Sequence, residues 1–511
     1  MTTRSLIRAV VAIAVPVAAL GSTLPGSSRD AVAAPAVAGV HAAKTASGLV
    51  RLQAKASPRG ARVRLVNFLV DGRVVGSDTA APFSFVWNPA DLRAGRHVLR
   101  AVASAADGVT ASSQPVSIST SGRLVATREL RPTHSLRAAV AALPRSGGSV
   151  HLAPGVYRVQ DLRLRSGVHL IGSGPSTVLR PAAGSNYGSV LNIRGKGVTV
   201  RGLTVDGNAT ARTTRGSGHA ILVGPGARDV VISHVRITRP RRDGVYLWGD
   251  HQRVSVQDSI MDGGNRASAG VKDRINDSTS GDTSVLRTTV RNMRDFGISF
   301  FPWTRSRVYP GARALAVGNT IRHIQNPKTN NGTNESGIWT GGVDAVIRNN
   351  VVSDTGWDGI QTFGMTRRSV IAGNRISRTR VGIYAEHDTW DTLFEANTMT
   401  RIARNGINVE WRYGGHGSGR LTIRRNRILS PGRYGVFVDV GANRNVITGN
   451  VVRNARRGGI ALQGTTGNLV RGNDLRSAVS GARCVVQLTG LWDDGRAARA
   501  ANNTIRGNAC G

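Results

Sequence analysis

The chain is 511 residues long, enough for one large domain and a smaller one, so size does not limit the core it can bury. Its 63 glycines and regularly placed asparagines argue against a helical protein, because both residues suit turns and strand ends. A formal charge of +38 rules out an acidic surface and favours polyanionic partners such as acidic polysaccharide or cell-wall polymer, although a Lys-poor, Arg-rich composition is also what a GC-rich genome produces.

Arg4 and Arg8 flank a short apolar run from Ala9 to Leu20, and small residues around Ala31 and Ala33 offer a signal-peptidase site, so residues 1–33 read as a secretory signal peptide. The run is short for a membrane span, and no second one follows. The mature chain is expected to be secreted, extracellular or cell-wall associated, and monomeric. No basic arm or nucleic-acid module is recognisable, so no nucleic-acid partner is expected. Cys484 and Cys510 are the only cysteines, and an exported chain can keep them as a disulfide bond. Residues 34–47 are rich in Ala and read as a linker.

Residues 48–120 hold short alternating runs at Leu49, Val63, Phe83 and His97, separated by turns at Asp71-Gly72, Ala81-Pro82 and Ala94-Gly95. This pattern predicts a small antiparallel sandwich. Its phrases Phe68-Leu-Val-Asp-Gly-Arg-Val-Val-Gly, Ala81-Pro-Phe-Ser-Phe-Val-Trp87 and Gly95-Arg-His-Val-Leu-Arg-Ala resemble bacterial Ig-like domains. That resemblance implies that Trp87 is a core residue.

Thr133 is positioned to cap an amphipathic helix over about 133–143, with Leu136, Ala139, Val140 and Leu143 on one face and Pro144 ending it. The helix and the phrases that follow, Gly147-Gly-Ser-Val-His-Leu-Ala-Pro-Gly-Val-Tyr157 and Gly167-Val-His-Leu-Ile-Gly-Ser-Gly174, closely resemble the opening of pectate-lyase-like right-handed parallel β-helices of the pectin lyase fold superfamily. The resemblance implies an all-β solenoid over 121–511, its open first coil plugged by the helix, and activity on polysaccharides. Two repeats support it independently. A Gly followed by Val or Ile recurs at Gly244, Gly270, Gly297, Gly337, Gly359, Gly382, Gly406, Gly435 and Gly459, and an Asn followed two residues later by an apolar side chain recurs at Asn319, Asn350, Asn374, Asn397, Asn426, Asn450, Asn473 and Asn503. Such columns mark stacked coils of about 22–30 residues, none able to bury its own apolar face alone. The Asn column reads as structural, with amides bonding coil to coil. The long step between Gly297 and Gly337 carries Phe301, Trp303 and residues 326–335, an insertion expected to rim a groove.

Strand alternation then assigns an outward face. Coil by coil it presents Tyr246 and Trp248, Lys272 and Arg274, Ser299 and Phe301, Trp339, Gln361, Tyr384 and Glu386, Asn408 and Glu410, Phe437 and Asp439, Ala461 and Gln463, and Gln487. Aromatic rings, amides and charges in one strip suit a sugar chain: Tyr246, Trp248, Lys272, Arg274, Trp339, Gln361, Asp388, Asn408, Arg412 and Asp439 are the candidate substrate-binding residues. Glu386, His387, Glu410 and Tyr384 are the candidate catalytic residues, because stacked carboxylates repel and one of them is pushed toward its protonated form. Three uses of the Glu386, Glu410 and Asp439 ladder stay open: the acid pair of a glycosidase, a Ca²⁺ site that neutralises a uronate, or a salt-linked face with neighbouring Arg. Asp243 and Asp358 precede their column glycines in matching positions and read as turn-shaping residues. Gly415-His416-Gly417 is similar to the Gly-His-Gly of polygalacturonases, but the companion motifs of that family are absent, as is the Asp-Pro-His of alginate epimerases. The resemblance therefore implies a fold and a carbohydrate substrate without naming a reaction. The expected function is that of a polysaccharide lyase or glycoside hydrolase acting on an acidic polysaccharide; the alternative is a non-catalytic carbohydrate or cell-wall binding protein.

Overall fold

The computed structural model describes residues 36–44, 50–57, 63–78, 81–87, 89, 95–105, 110–120, 128–182, 185–209, 218–275, 281–302, 313–325, 335–342, 344–410, 417–476, 484–492 and 494–510. The signal peptide expected at 1–33, Trp303, residues 326–334, Arg412 and His416 lie outside the described residues.

From residue 128 onward the chain is a parallel solenoid with three walls. Among the described residues, sheet 1 has 15 strands, from Arg128–Leu130 to Thr504–Arg506, sheet 2 has 12, from Gly155–Arg158 to Val451–Arg453, and sheet 3 has 13, from Leu162–Leu164 to Val485–Leu488. Each strand pairs in parallel with the equivalent strand one coil on, as Ile383, Tyr384 and Ala385 do with Ile407, Asn408 and Val409. One continuous apolar core fills the interior, with Ile383, Ala385, Ile407, Val409, Val436 and Val438 all at 0% exposure. At the N-terminal end Leu136–Ala141 forms the capping helix, burying Leu136, Ala139 and Val140. Ser135, not Thr133, is its N-cap and accepts from Ala138 N at 3.2 Å; Thr133 lies two residues earlier, paired with His134.

Both sequence columns have a physical cause. The Gly column brings sheet 3 against sheet 2: a Cβ on Gly406 would stand 2.7 Å from Gly435 O and closer still to Ile428, so only Gly allows the approach. The Asn column is a buried amide chain. Asn374 N and Nδ2 both donate to Asn397 Oδ1 at 3.0 and 2.9 Å, and Asn397 repeats this toward Asn426 at 3.0 Å. From Asn473 the chain runs on to Asn508. Asn503, expected in that column, ends a second ladder instead, Asn445 to Asn468 to Asn503, because two turns of the same coils both carry Asn. A third column is ionic: Asp391 and Arg420 both take left-handed φ, at 50° and 49°, and meet through two bonds of 2.8 Å. Asp229 with Arg253, Asp258 with Arg287 and Asp344 with Arg368 repeat the arrangement.

The N-terminal sandwich pairs Ala36–Lys44 with Val50–Ser57 and these with Phe83–Trp87, opposite a sheet built on Val63–Val70 and Gly95–Ala105. The stretch 34–47, expected to be a linker, thus supplies an edge strand, its Val40 buried at 2% exposure in the sandwich core. Trp87 is a core residue, as expected, at 2%. The sandwich is seated on sheet 1. Leu65 packs among Leu286, Leu315 and Val346, Arg313 bridges Asp78 of the sandwich at 2.6 Å and Asp282 of the solenoid at 2.6 Å, and Arg287 bonds Val74 O.

Asn397→Ala leaves Asn374 N and one of the two Nδ2 hydrogens without an acceptor inside the wall, the other Nδ2 hydrogen keeping Ile347 O, at a cost of about 1–3 kcal/mol for each buried donor so stranded. The expected result is a lower denaturant midpoint with an unchanged slope, measured by equilibrium unfolding.

Candidate functional site

Register aligns the row expected on sheet 3 from Tyr246 through Lys272, Ser299, Trp339, Gln361, Tyr384, Asn408 and Phe437 to Ala461, although Ser299 and Ala461 are fully buried and Gln361 is 6% exposed. Opposite Ala461 stands Val486; Gln487, expected in this row, pairs with Leu462. The strip divides into three zones. At its N-terminal end Tyr246 stacks on His219 at 4.3 Å, Trp248 is 41% exposed, and Lys272 lies 5.8 Å from the Phe296 ring. Arg274 is in register between Trp248 and Phe301. Next comes an aromatic track in which Trp339 contacts Phe296, Phe301 and Phe363 at 4.7, 4.5 and 5.3 Å, and Phe363 meets His387 at 5.5 Å.

Beyond His387 the surface opens into a groove of about 540 Å³. Its floor is Tyr384, Asn408 and Phe437, flanked by Val381, Asn405 and Tyr434, and Glu410 and Asp439 line one side. The opposite side is Arg380, Arg404, Arg433 and Arg457. These four stand one per coil, each two residues before its column Gly, and are stitched in register by Arg404 N to Arg380 O, Arg433 N to Arg404 O and Arg457 N to Arg433 O at 2.8, 2.9 and 2.9 Å. Arg380 packs over the Trp357 ring at 3.3 Å. Elsewhere on the coils arginines are clasped by Asp of the neighbouring coil; among the described residues no carboxylate lies within ion-pair distance of Arg404, Arg433 or Arg457. Partial burial first, then the neighbouring Arg404, pulls the Arg380 guanidinium below its usual range. The sequence reading missed this column, although its positions step with the Gly column.

Glu386 follows the strand that carries Tyr384, one coil before Glu410. Gln361, itself fixed by Ser336 Oγ at 2.8 Å, donates to one Glu386 oxygen, and His387 Nε2 is 3.3 Å from the other. Burial raises the Glu386 carboxyl above the usual range, opposed only in part by the Gln361 bond. Glu410 and Asp439 follow on the next coils, placed by Glu410 N to Ala385 O and Asp439 N to Val409 O, each 2.9 Å. Asp388, expected to bind substrate, is instead taken up in the wall by Arg367 and Trp390, each at 3.2 Å. The acid ladder does not fit a cation. Glu386 is committed to Gln361 and His387, Asp439 accepts from Val440 N at 2.8 Å, and no group of three or more possible ligands converges among the described residues. The Ca²⁺ use left open for this ladder therefore has no converging set of side-chain ligands among the described residues.

Asp358, read as a turn residue, is fully buried, and neither of its oxygens has a hydrogen-bond partner among the described residues. Burial, with the charges of Glu386 and Glu410 adding to it against Arg380, pushes its carboxyl well above the usual range. A folded-state pKa above the unfolded one destabilises the fold progressively as pH rises past the ordinary carboxylate value of 3.8. Asp358→Asn removes that dependence, so the melting temperature of the variant relative to the wild type is expected to rise between about pH 4 and about pH 7, read by thermal melts across that range.

Comparison with known proteins agrees with this architecture. Residues 307–475 and 414–511 match the right handed beta helix region, and residues 41–101 match the bacterial Ig domain. No curated protein matches the sequence. Similar solved structures include the family 28 exopolygalacturonase of Yersinia enterocolitica, at 12% identity over 93% of this chain and 99% of that one with a TM-score of 0.44. The A-module of the mannuronan C-5 epimerase AlgE4 of Azotobacter vinelandii is similar at 19% identity over 74% and 97%, TM-score 0.39, and the surface adhesin PfbA of Streptococcus pneumoniae at 14% over 71% and 91%, TM-score 0.42. The coils, the capping helix and the two family matches make this chain a right-handed parallel β-helix repeat protein with an N-terminal bacterial Ig-like domain.

Proposed function

We propose that the protein binds an acidic polysaccharide along the outward face of sheet 3 and cleaves it at the groove between Glu386 and Asp439. The observation that carries this reading is the arginine column. Four like charges one coil apart, about 4.8 Å, repel one another unless anions lie against them. An acidic glycan supplies such anions along one edge, while Tyr384, Tyr434 and Phe437 offer ring faces for its sugars. The Cys484–Cys510 disulfide, with Cα atoms 5.7 Å apart, suits an exported protein meeting such polymers outside the cytoplasm. No described helix is long and apolar enough to cross a membrane.

Glu386 has the properties of a proton donor. Its carboxyl is raised by burial, so it holds a proton at a pH where an exposed glutamate has lost it, and His387 beside it can return that proton. Donation to the glycosidic oxygen leaves Glu410, on the next coil and in the groove, as the second carboxylate of a hydrolysis. Elimination is the second reading, favoured by Tyr384 lining the same groove as the arginines: arginine neutralises a uronate carboxylate and acidifies the adjacent carbon, Glu410 takes the proton from that carbon as the double bond forms, and Tyr384 protonates the leaving oxygen as the C–O bond breaks.

A panel of acidic and neutral polysaccharides, assayed for new reducing ends and for unsaturated-uronate absorbance, tests the proposal. Acidic polymers are expected to yield product, with absorbance only if the bond is eliminated. Glu386→Gln is expected to lower turnover by about 100-fold or more with binding retained. The double change Arg404→Ala and Arg433→Ala is expected to weaken binding and flatten its dependence on salt. Tight binding of acidic polymers with no product from any of them would make the protein a binding module and remove the catalytic half of the proposal.

A further inference from the structure

The turn preceding Asp243 and the strand Asp243–Trp248 hold a second cluster of reactive groups that the groove does not use. Asp243 has 0% exposure, and neither of its oxygens has an aligned hydrogen-bond donor among the described residues. Its close charge partners are His219 Nδ1 at 3.1 Å and Arg242 Nε at 3.8 Å. His219 is itself buried and lies flat on Tyr246, with 13° between the ring planes. Tyr246 is in register with Lys272 on the next strand, and the exposed Trp248 stands beside them.

The fold does not require an acid at this position. The same register row carries Ala269, Phe296, Ser336, Val381 and Tyr434 on other coils. Among the described residues of this row only Asp358, at the Glu386 end, repeats the choice. A buried carboxylate without an aligned donor lowers stability. Retained where an apolar side chain fits, and 3.1 Å from a histidine that lies flat against an aromatic ring, it has the form of a support that fixes His219 and Tyr246 behind the outer face.

We propose that His219, Asp243 and Tyr246, with Trp248 and Lys272, form a distal sugar subsite on the same face, so that the protein selects long acidic glycans over short ones. The proposal rests on the reading of sheet 3 as a glycan-binding face. Five strand steps separate Asp243–Trp248 from Val381–Ala385, roughly 24 Å at about 4.8 Å per step. The Phe296, Trp339 and Phe363 track fills the interval, so a chain reaching both ends meets aromatic surface along the way. In the subsite, the buried Asp243 and His219 hold the Tyr246 ring from behind, an anionic substituent of the glycan faces Lys272, and a sugar ring lies against Trp248.

The test is binding, so it does not depend on cleavage. Polygalacturonate and alginate, each as polymer and as trimer, are titrated against the full chain, with His219→Ala and Tyr246→Ala as subsite variants and Arg404→Ala with Arg433→Ala as the groove variant. Asp243→Asn serves as the isosteric check, and thermal melts verify folding. The expected result is that subsite variants weaken polymer binding by about tenfold and leave trimer binding unchanged, whereas the groove variant weakens both. Equal losses for polymer and trimer, or no loss in any folded subsite variant, would overturn the subsite while leaving the groove standing. Failure of every acidic polymer to bind the wild type would overturn the groove reading and the subsite with it.

Discussion

Everything on the working face depends on coils stacking without slip, and that register is enforced from inside the wall by side-chain amides. Along this chain each buried Asn offers its oxygen to two donors of the preceding Asn and turns its backbone N–H and one Nδ2 hydrogen to the next coil, while Nδ2 also bonds a carbonyl of the coil before, as Asn397 does with Ile371 O. A slip would strand several buried donors at once, each a larger loss than a typical hydrogen bond gains. The glycine column does the complementary work on the sheet 3 side, where the backbone of one coil occupies the space a Cβ would need. With register fixed twice over, side chains on consecutive coils are held near one strand spacing apart, and a column of like residues becomes a ruled line of like chemistry.

Such columns divide the charge of the molecule into two kinds. Arg253, Arg287, Arg368 and Arg420 close the left-handed turns of neighbouring coils through forked bonds to Asp, so their charge is consumed in the scaffold. The arginines at 404, 433 and 457 have no such partner among the described residues and face open space. The positive charge is thus divided: part of it is structural mortar, and part is gathered on one wall opposite Glu410 and Asp439. A groove with cations on one flank and acids on the other gives a bound anionic chain one favoured edge.

The solenoid was legible in the sequence because its two strongest requirements, Gly at the close approach and Asn in the buried turn, recur at coil spacing. The register of the row from Tyr246 to Phe437 followed from strand alternation alone, while the burial of Ser299 and Gln361 within it did not. Other features were not legible for identifiable reasons. Two Asn columns five residues apart merged into one, which misplaced Asn503. The arginine wall lies upstream of the column Gly, in the turn, where alternation assigns no direction, so a rule that reads only strands passes over it. Asp243 and Asp358 look like ordinary turn acids until burial is known. Asp388 looked available because the sequence does not reveal that Arg367 and Trp390 already hold it.

The Ig-like domain sits on sheet 1 through Leu65 and the Arg313 bridge to Asp78. The contact joins an apolar patch to a shared guanidinium, so the sandwich is fixed to the solenoid wall by more than the connecting chain. Orientation is thereby transmitted along the molecule: whatever surface grips the Ig-like domain also aims the groove, much as a handle sets the angle of a blade.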